Sequence, residues 1–391
     1  MSKKTILVVL TLLYAKLALS NIRITPASEF SLLTVSPGKE LYKVFGHSAF
    51  RLKDTVQQID IVYNYGTFDF STPHFYLKFI KGKLDYFLSI ESYTHFIMGL
   101  DRYQRVYEQK LNLNLSQKRK FLDFLNRNYL PENRNYRYDF FFDNCATRLR
   151  DAFVLMYQDK VEFNLFQQEK KESFRDLLRP YSGIYSWAEF GIDIALGLPS
   201  DRKALFYEYM FLPDFLMEAF EYAMLEQGNG NVPLVNDTSL IIENESDLEI
   251  ENMLLSPQFG LWGIFLLFLI ISVFEFRKKK QLIVFDKFFF GALGILGLFI
   301  LFLWFGTEHE VMRYNPDILW AIPSHIIIVF LLKSKYQKLI KYYFFITFVV
   351  GAMLILSWIF ISGYYNAGVF PLLCIVSLRS FKIFYFNREK L

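Results

Sequence analysis

Tyr138-Asp-Phe-Phe-Phe-Asp-Asn-Cys-Ala-Thr-Arg-Leu-Arg-Asp151 carries the only cysteine outside the hydrophobic C-terminal third of this 391-residue chain, and its reading decides the fold. Phe140 to Phe142 reads as a buried extended run. Asp143 and Asn144 are strong capping types, and Leu149, Ala152, Phe153, Met156 and Tyr157 then recur at helical spacing. Cys145 is thus expected in the first helical turn, where unpaired backbone N–H groups and the positive end of the helix dipole favour thiolate over thiol. That is what a nucleophilic cysteine requires. The alternative is a small buried hydrophobe, since free cysteine is among the most buried residue types.

The second half of the constellation lies about a hundred residues upstream, in Leu41-Tyr-Lys-Val-Phe-Gly-His-Ser-Ala-Phe-Arg-Leu-Lys53. Here a glycine precedes a histidine that opens a short alternating strand. A strand histidine alone is more often structural; paired with a helix-borne cysteine it is the base that thiol chemistry needs, distant in sequence and near in space. His47 is the expected base for Cys145.

Gly46-His47-Ser48-Ala49, Val62-Tyr-Asn-Tyr-Gly-Thr-Phe-Asp-Phe70, Gly82-Lys-Leu-Asp-Tyr86 and Asp143-Asn-Cys-Ala-Thr-Arg148 together resemble the Lnb family of Bacteroidetes lipoprotein N-acyltransferases. The resemblance runs over nearly the whole chain. It implies an α+β fold: a permuted papain-like (NlpC-like) periplasmic domain, histidine before cysteine, followed by an all-α transmembrane helix bundle. It further implies transfer of an acyl chain to the α-amine of a lipoprotein's lipidated N-terminal cysteine.

A papain-like site has a third polar group that fixes the imidazole tautomer. Asn64, on the strand after the histidine, is the candidate, with Asp143 and Asp69 in reserve. Each also has a plainer reading: Asn64 ends strand pairing near Gly66, and Asp143 caps the helix. Asn144 could shape an oxyanion site with the Cys145 backbone N–H. His74 and His95 lack ligand-like spacing and read as ordinary domain residues. No zinc signature or glycine-rich phosphate loop is present, and neither metal nor cofactor is expected.

Taken in order, Met1 to Ser20 has lysines at 3 and 4, an apolar run from Ile6 to Tyr14 and small residues at Ala18 and Ser20. It reads as a secretory signal peptide, an uncleaved anchor being the weaker alternative because about 20 apolar residues are needed to cross a bilayer. Residues 21–227 carry the α+β pattern: strands at 47–53, 59–66, 84–90 and 105–113, a helix at 93–100, and a helix capped by Ser116 and ended by Pro131. The apolar stretches 186–201 and 211–220 could form an acyl groove, rest on the bilayer, or simply pack in the core. Residues 228–257 are polar and acidic and read as a linker or edge hairpin.

The composition is 53% hydrophobic and 19% aromatic, and the excess lies after position 256. Hydrophobic segments at about 258–276, 287–305, 318–332, 342–362 and 368–386 make residues 258–391 a transmembrane domain of about five helices. The last carries Pro371 and is apolar only in its first part. Arg277 to Lys280, then Lys333, Lys335 and Lys338, and finally Arg379, Lys382, Arg388 and Lys390 fall on one side if all five cross. That side is cytoplasmic, which makes the chain a multi-pass protein of the bacterial inner membrane with the catalytic domain in the periplasm. Export puts Cys145 in an oxidising compartment, but its only intrachain partner, Cys374, lies in a membrane run, so no disulfide is expected. The polar loop Gly306-Thr-Glu-His-Glu-Val-Met-Arg-Tyr-Asn-Pro-Asp317 faces outward. In the Lnb resemblance this loop is similar to the segment just before the third span, which implies that His309, Arg313 and Asn315 bind a lipid headgroup or the acceptor peptide, Arg313 suiting phosphate or carboxylate; an ordinary interfacial loop reads as well. His325 is either a packing donor or a site residue.

The net charge of +4 says little, because clustered basic residues serve topology, and no basic-aromatic array argues for nucleic acid. The expected partners are lipoproteins and membrane phospholipids. The expected reaction is thiol acyl transfer through a thioester on Cys145. Two alternatives stand beside it: a membrane-anchored cysteine hydrolase acting on peptidoglycan stem peptides or another amide, and a non-enzymatic envelope binding protein. The sequence leaves open the donor, the acyl position and the oligomeric state.

Overall fold

Strands β1 (Ser28–Val35) and β2 (His47–Asp54) are buried along almost their whole length. Such strands need cover on both faces, and they sit at the centre of a seven-stranded sheet. With β3 (Ile59–Thr67), β4 (Asp85–Ser92), β5 (Val106–Leu111), β6 (Asn135–Arg137) and β10 (Val235–Ile242) the order is β10-β5-β1-β2-β3-β4-β6. Every pairing is antiparallel. The computed structural model describes residues 22–40, 42–163, 172–182, 187–228, 230–244 and 253–388. The expected signal peptide at 1–20 and the acidic residues 245–252 of the expected linker lie outside the described residues.

One face of the sheet is covered by helices Leu115–Tyr129, Cys145–Tyr157 and Pro213–Glu221 through an aromatic stack. Phe121 lies 4.9 Å from Phe30 and 5.0 Å from Phe50, and Phe153 lies 5.1 Å from Phe121 and 5.0 Å from Phe220, by ring centroids. Burial of each such ring stabilises by about 1.5–3 kcal/mol, with up to about 1 kcal/mol more from edge-to-face geometry. The cysteine helix is therefore anchored by its middle turns. Leu33, Val35, Ala49, Val62 and Val106 form the core of the opposite face with Phe96 from the short helix Tyr93–Met98.

Local chemistry displaced two expected features. The helix 115–129 is capped by Asn114, not Ser116: its side chain accepts from Gln117 N while the Gln117 side chain returns to the Asn114 N–H. Phe140 to Phe142 is a tight turn rather than an extended segment, because the Asp139 carboxylate accepts from both Phe141 N (2.9 Å) and Phe142 N (3.0 Å). The edge-hairpin form is found here: β8 (Met224–Gln227) pairs with β9 (Gly230–Pro233) on one side and with the short β7 (Val161–Glu162) on the other, and β10 closes the main sheet against β5.

The chain divides into two compact units, residues 1–170 with 205–247, and residues 171–204 with 248–391. Segment 171–204, which the sequence places in the globular domain, thus belongs by its contacts to the helical unit. Of the two apolar stretches, 211–220 packs in the core of the first unit through Phe211, Leu212, Leu216 and Phe220, while Ile194 and Leu196 of the other are buried in the second unit and Trp187 and Leu198 stay exposed. Asp193 and Asp201 converge there on the guanidinium of Arg175, at 3.0 and 2.7 Å.

Among the described residues, four helices of the helical unit are long and apolar enough to cross a membrane: Pro257–Lys278, Ile283–Gly306, Gln337–Leu356 and Val369–Asn387. The expected span at 318–332 is not one helix. It is a 3-10 turn, Pro316–Leu319, then irregular backbone, then the short helix His325–Leu331. Pro316 and Pro323 break the helical pattern. The irregular part lies against Ile283–Gly306, where a Cβ on Gly297 would come within 2.0 Å of Ala321 O and one on Gly294 within 2.7 Å of Ile326 N. Non-helical backbone at membrane depth is tolerated only when buried in protein, and here Trp320, Ala321 and His325 are fully enclosed.

Candidate active site

His47 is the first residue of β2 and Cys145 the first residue of its helix. Glycines bring them together. Gly46 has φ +75°, and a Cβ there would stand 2.6 Å from Val35 O; Gly66 has φ +89°, and a Cβ there would stand 3.3 Å from Cys145 Cβ and 3.6 Å from His47 Cε1. Both positions favour glycine by backbone and by space.

His47 Nε2–H donates to Asn64 Oδ1 at 2.7 Å, which leaves Nδ1 to hydrogen-bond the Cys145 thiol. Asn64 Nδ2 donates to Glu91 Oε1 at 2.9 Å, and His95 Nδ1–H meets Glu91 Oε2 at 2.6 Å. The polar chain thus runs Cys145, His47, Asn64, Glu91, His95. Asn64 lies where the sequence put it. Glu91 and His95 escaped sequence reading, His95 being taken for an ordinary domain residue; the signal was pairing of β3 with β4, which sets Val62 opposite Glu91 and Asn64 opposite Ser89 on one face.

Burial alone would push the Cys145 thiol up. The adjacent His47 charge and hydrogen bond, with N–H groups of Ser48 and Ala146 directed at the sulfur, outweigh it, so the pKa falls below the ordinary thiol value. Burial likewise opposes charge on His47, and the neighbouring thiolate, with hydrogen bonds to Cys145 and Asn64 and the Glu91 carboxylate, more than offsets it and raises its pKa. Each partner thus favours the other's charged form, the thiolate–imidazolium pair. Cys145 is partly accessible and makes no disulfide.

The other expected residues have different surroundings. Asn144 is 3% exposed and caps the cysteine helix: Oδ1 accepts from Thr147 N (2.9 Å), and both amide hydrogens are taken, by Phe140 O and Phe211 O at 2.8 Å each. That leaves its side chain no hydrogen for a bound oxyanion. Asp143 pairs with Arg148, Nη2 to Oδ2 2.5 Å, and burial raises its pKa against that partner's pull. Asp69 accepts from Ser71 N and Oγ at 2.8 and 2.7 Å, away from the imidazole's partners.

In the helical unit, Asn315 is 1% exposed, and its amide donates to Ile194 O (2.7 Å) and accepts from Asp317 N (2.9 Å). Arg313 is partly exposed with Glu310 at 3.9 Å, and His309 opens the 3-10 turn Glu310–Met312. Asn315 therefore holds the loop, while Arg313 keeps a guanidinium edge toward solvent.

Residues 20–180 match the family model described as the Lnb N-terminal periplasmic domain, and residues 249–390 match that of the Lnb transmembrane domain. The chain belongs to the Lnb family. It is accordingly a multi-pass membrane protein with a periplasmic domain, and Cys145 and His47 both fall inside the stretch matched by the Lnb periplasmic model. No curated protein and no solved structure matches the chain significantly.

Proposed function

We propose that this Lnb protein is a lipoprotein N-acyltransferase of the inner membrane that works through a thioester on Cys145. The observation that carries the reading is a partly accessible cysteine at a helix start, facing a histidine oriented by Asn64 that favours its thiolate, in a chain with membrane-spanning helices. A papain-like reading of the domain rests on the same arrangement, a helix-borne cysteine facing a strand histidine fixed by an asparagine.

The Cys145 thiolate attacks an ester carbonyl of a membrane lipid, and the tetrahedral intermediate collapses to a thioester as the lipid alcohol leaves with the proton held by His47. The α-amine of the lipidated N-terminal cysteine then attacks the thioester. His47 takes the amine proton, an amide forms and the thiolate returns. Asn64 holds Nε2–H, so the same imidazole nitrogen faces sulfur and substrate in both halves. Spans in the bilayer suit a reaction whose donor and acceptor are both lipids, because they replace a bulk encounter with a positioned one.

The test is the mass of a reporter lipoprotein's N-terminal peptide from cells depleted of their own N-acyltransferase and expressing either the parent or Cys145→Ala. One added acyl mass with the parent alone supports the reading. No added mass from well-expressed parent overturns it, and muropeptide profiles then test the thiol as a hydrolase.

A further inference from the structure

The β3–β4 connection carries a helix, Phe75–Ile80, that has no buried residue. Tyr76 is 75% exposed, Leu77 and Phe79 49% each and Ile80 40%, and Phe70 just before it is 61% exposed. Large exposed apolar side chains gathered on one short surface helix mark an interaction site. Lys78, Lys81 and Lys83 lie among them, and from Phe70 to Leu84 there is no acidic residue. The helix is built, not frayed: Lys83 N bonds Lys78 O at 2.7 Å across Gly82 at φ +66°, a Schellman stop.

An aromatic series joins this helix to the active site. Tyr138 stacks on Tyr86 at 4.2 Å, Tyr86 meets Phe68 at 5.3 Å, and Phe68 meets Phe70 and Phe75 at 4.9 and 5.7 Å. Tyr138 and Tyr86 both sense the charge of Cys145. The exposed helix is thus the outer end of an apolar lane that begins beside the thiol.

We propose that Phe75–Ile80, with Phe70, is an interfacial element that inserts its aromatic and aliphatic side chains into the periplasmic leaflet of the membrane the chain spans. Aromatic bodies with lysines between them are the composition of interfacial helices, the rings at the headgroup boundary and the ammonium groups on lipid phosphates. The leaflet is within reach: β10 ends at Ile242 and the first membrane helix starts at Pro257, a connection of at most about 50 Å when fully extended. Docked in this way, the aromatic series that starts beside Cys145 ends at the membrane face. The inference concerns docking, and it stands whether the thiol passes an acyl group to an amine or to water.

The experiment places a nitroxide at Tyr76→Cys or Phe79→Cys in full-length Cys145→Ala/Cys374→Ala protein. The protein is reconstituted in vesicles of phosphatidylethanolamine and phosphatidylglycerol, with Lys120→Cys as an exposed control. Collision rates with oxygen and with a water-soluble nickel chelate give depth. Labels at 76 and 79 are expected to favour oxygen several-fold over the chelate, label 120 the reverse, and Lys78→Glu/Lys81→Glu is expected to shift the first two toward water. Labels at 76 and 79 as aqueous as label 120 overturn the proposal. So does shielding from both reagents, which marks a surface covered by protein. Because the readout needs no turnover, a failed acylation assay leaves it intact.

Discussion

At the scale of single residues, the site turns on which charge state the buried pair holds. His47 lowers the Cys145 pKa and Cys145 raises that of His47, so the reactive ion pair fills the window between a lowered thiol and a raised imidazole. As pH falls through the lowered cysteine value the thiolate is lost, and as pH rises through the raised histidine value the imidazolium is lost. Iodoacetamide alkylation of Cys145 is therefore expected to stay fast at pH values below the ordinary thiol range, about 8.5. In His47→Ala, burial acts unopposed by the imidazolium, and the alkylation profile is expected to move to higher pH; an unchanged profile would show that histidine does not set the thiol's charge. Asn64→Ala frees the ring to rotate without removing it, and is expected to lower the proposed acyl transfer roughly tenfold to a hundredfold, within the range of general acid–base contributions. Its alkylation rate should change far less. The strand position of Asn64, after the histidine strand, was legible from the local pattern. Glu91 was not, because its contact with Asn64 depends on the register of β3 with β4, a non-local pairing that no local pattern encodes.

Elements were legible where propensity and burial agree, and misread where a side chain or a neighbouring backbone intervened. The cysteine helix starts where capping chemistry places it, while the turn at Phe140–Phe142 exists because Asp139 takes two N–H groups that a strand would need. Hydropathy marks 318–332 as a span since it registers apolar side chains; it is blind to Gly294 and Gly297, whose missing Cβ atoms admit the irregular backbone of Ala321 to Ile326. Gly297→Ala is accordingly expected to destabilise the bundle by at least the roughly 1–3 kcal/mol of an overpacked core, since its Cβ would meet a carbonyl and not a flexible side chain. Thermal unfolding in detergent reads it, with Gly291→Ala as comparison, where a Cβ meets nothing within 4 Å. Equal midpoints for the two variants would refute the close packing. At the active site, Gly66→Ala is expected to reduce activity beyond its stability cost of about 1–2 kcal/mol for a positive φ, because the added methyl would press on Cys145 and His47 together.

Across the whole molecule, the two units interleave in sequence, and the periplasmic family match stops part-way through the segment that crosses over. The periplasmic match ends at 180, inside the stretch 171–204 that packs with the helical unit; a boundary drawn from composition falls elsewhere because this stretch is no more apolar than the domain around it. The last helix looked weakest by sequence and is the most enclosed of the four membrane-length helices, and the least apolar. A helix surrounded by protein needs less lipid-compatible surface, and Pro371 is harmless in its first turn. It also carries Arg379 and Lys382, which the sequence counts as cytoplasmic markers. Both are fully buried: Arg379 meets Glu275 and Asp286 at 2.6 Å each, and Lys382 meets them at 3.0 and 2.5 Å. Three helices are tied by two cations and two anions whose formal charges cancel. Arg379→Met leaves two enclosed carboxylates to one ammonium, and is expected to cost about 3–5 kcal/mol, the usual penalty for stranding one side of a buried pair. Replacing all four with apolar residues of similar volume removes the stranded charge, and is expected to recover most of that loss or exceed it. Urea unfolding in mixed micelles measures both. Equal loss in the single and quadruple variants would mean that the ion pairs themselves hold the helices together, whereas recovery in the quadruple variant means that apolar packing does, with the charges fixing which helices meet.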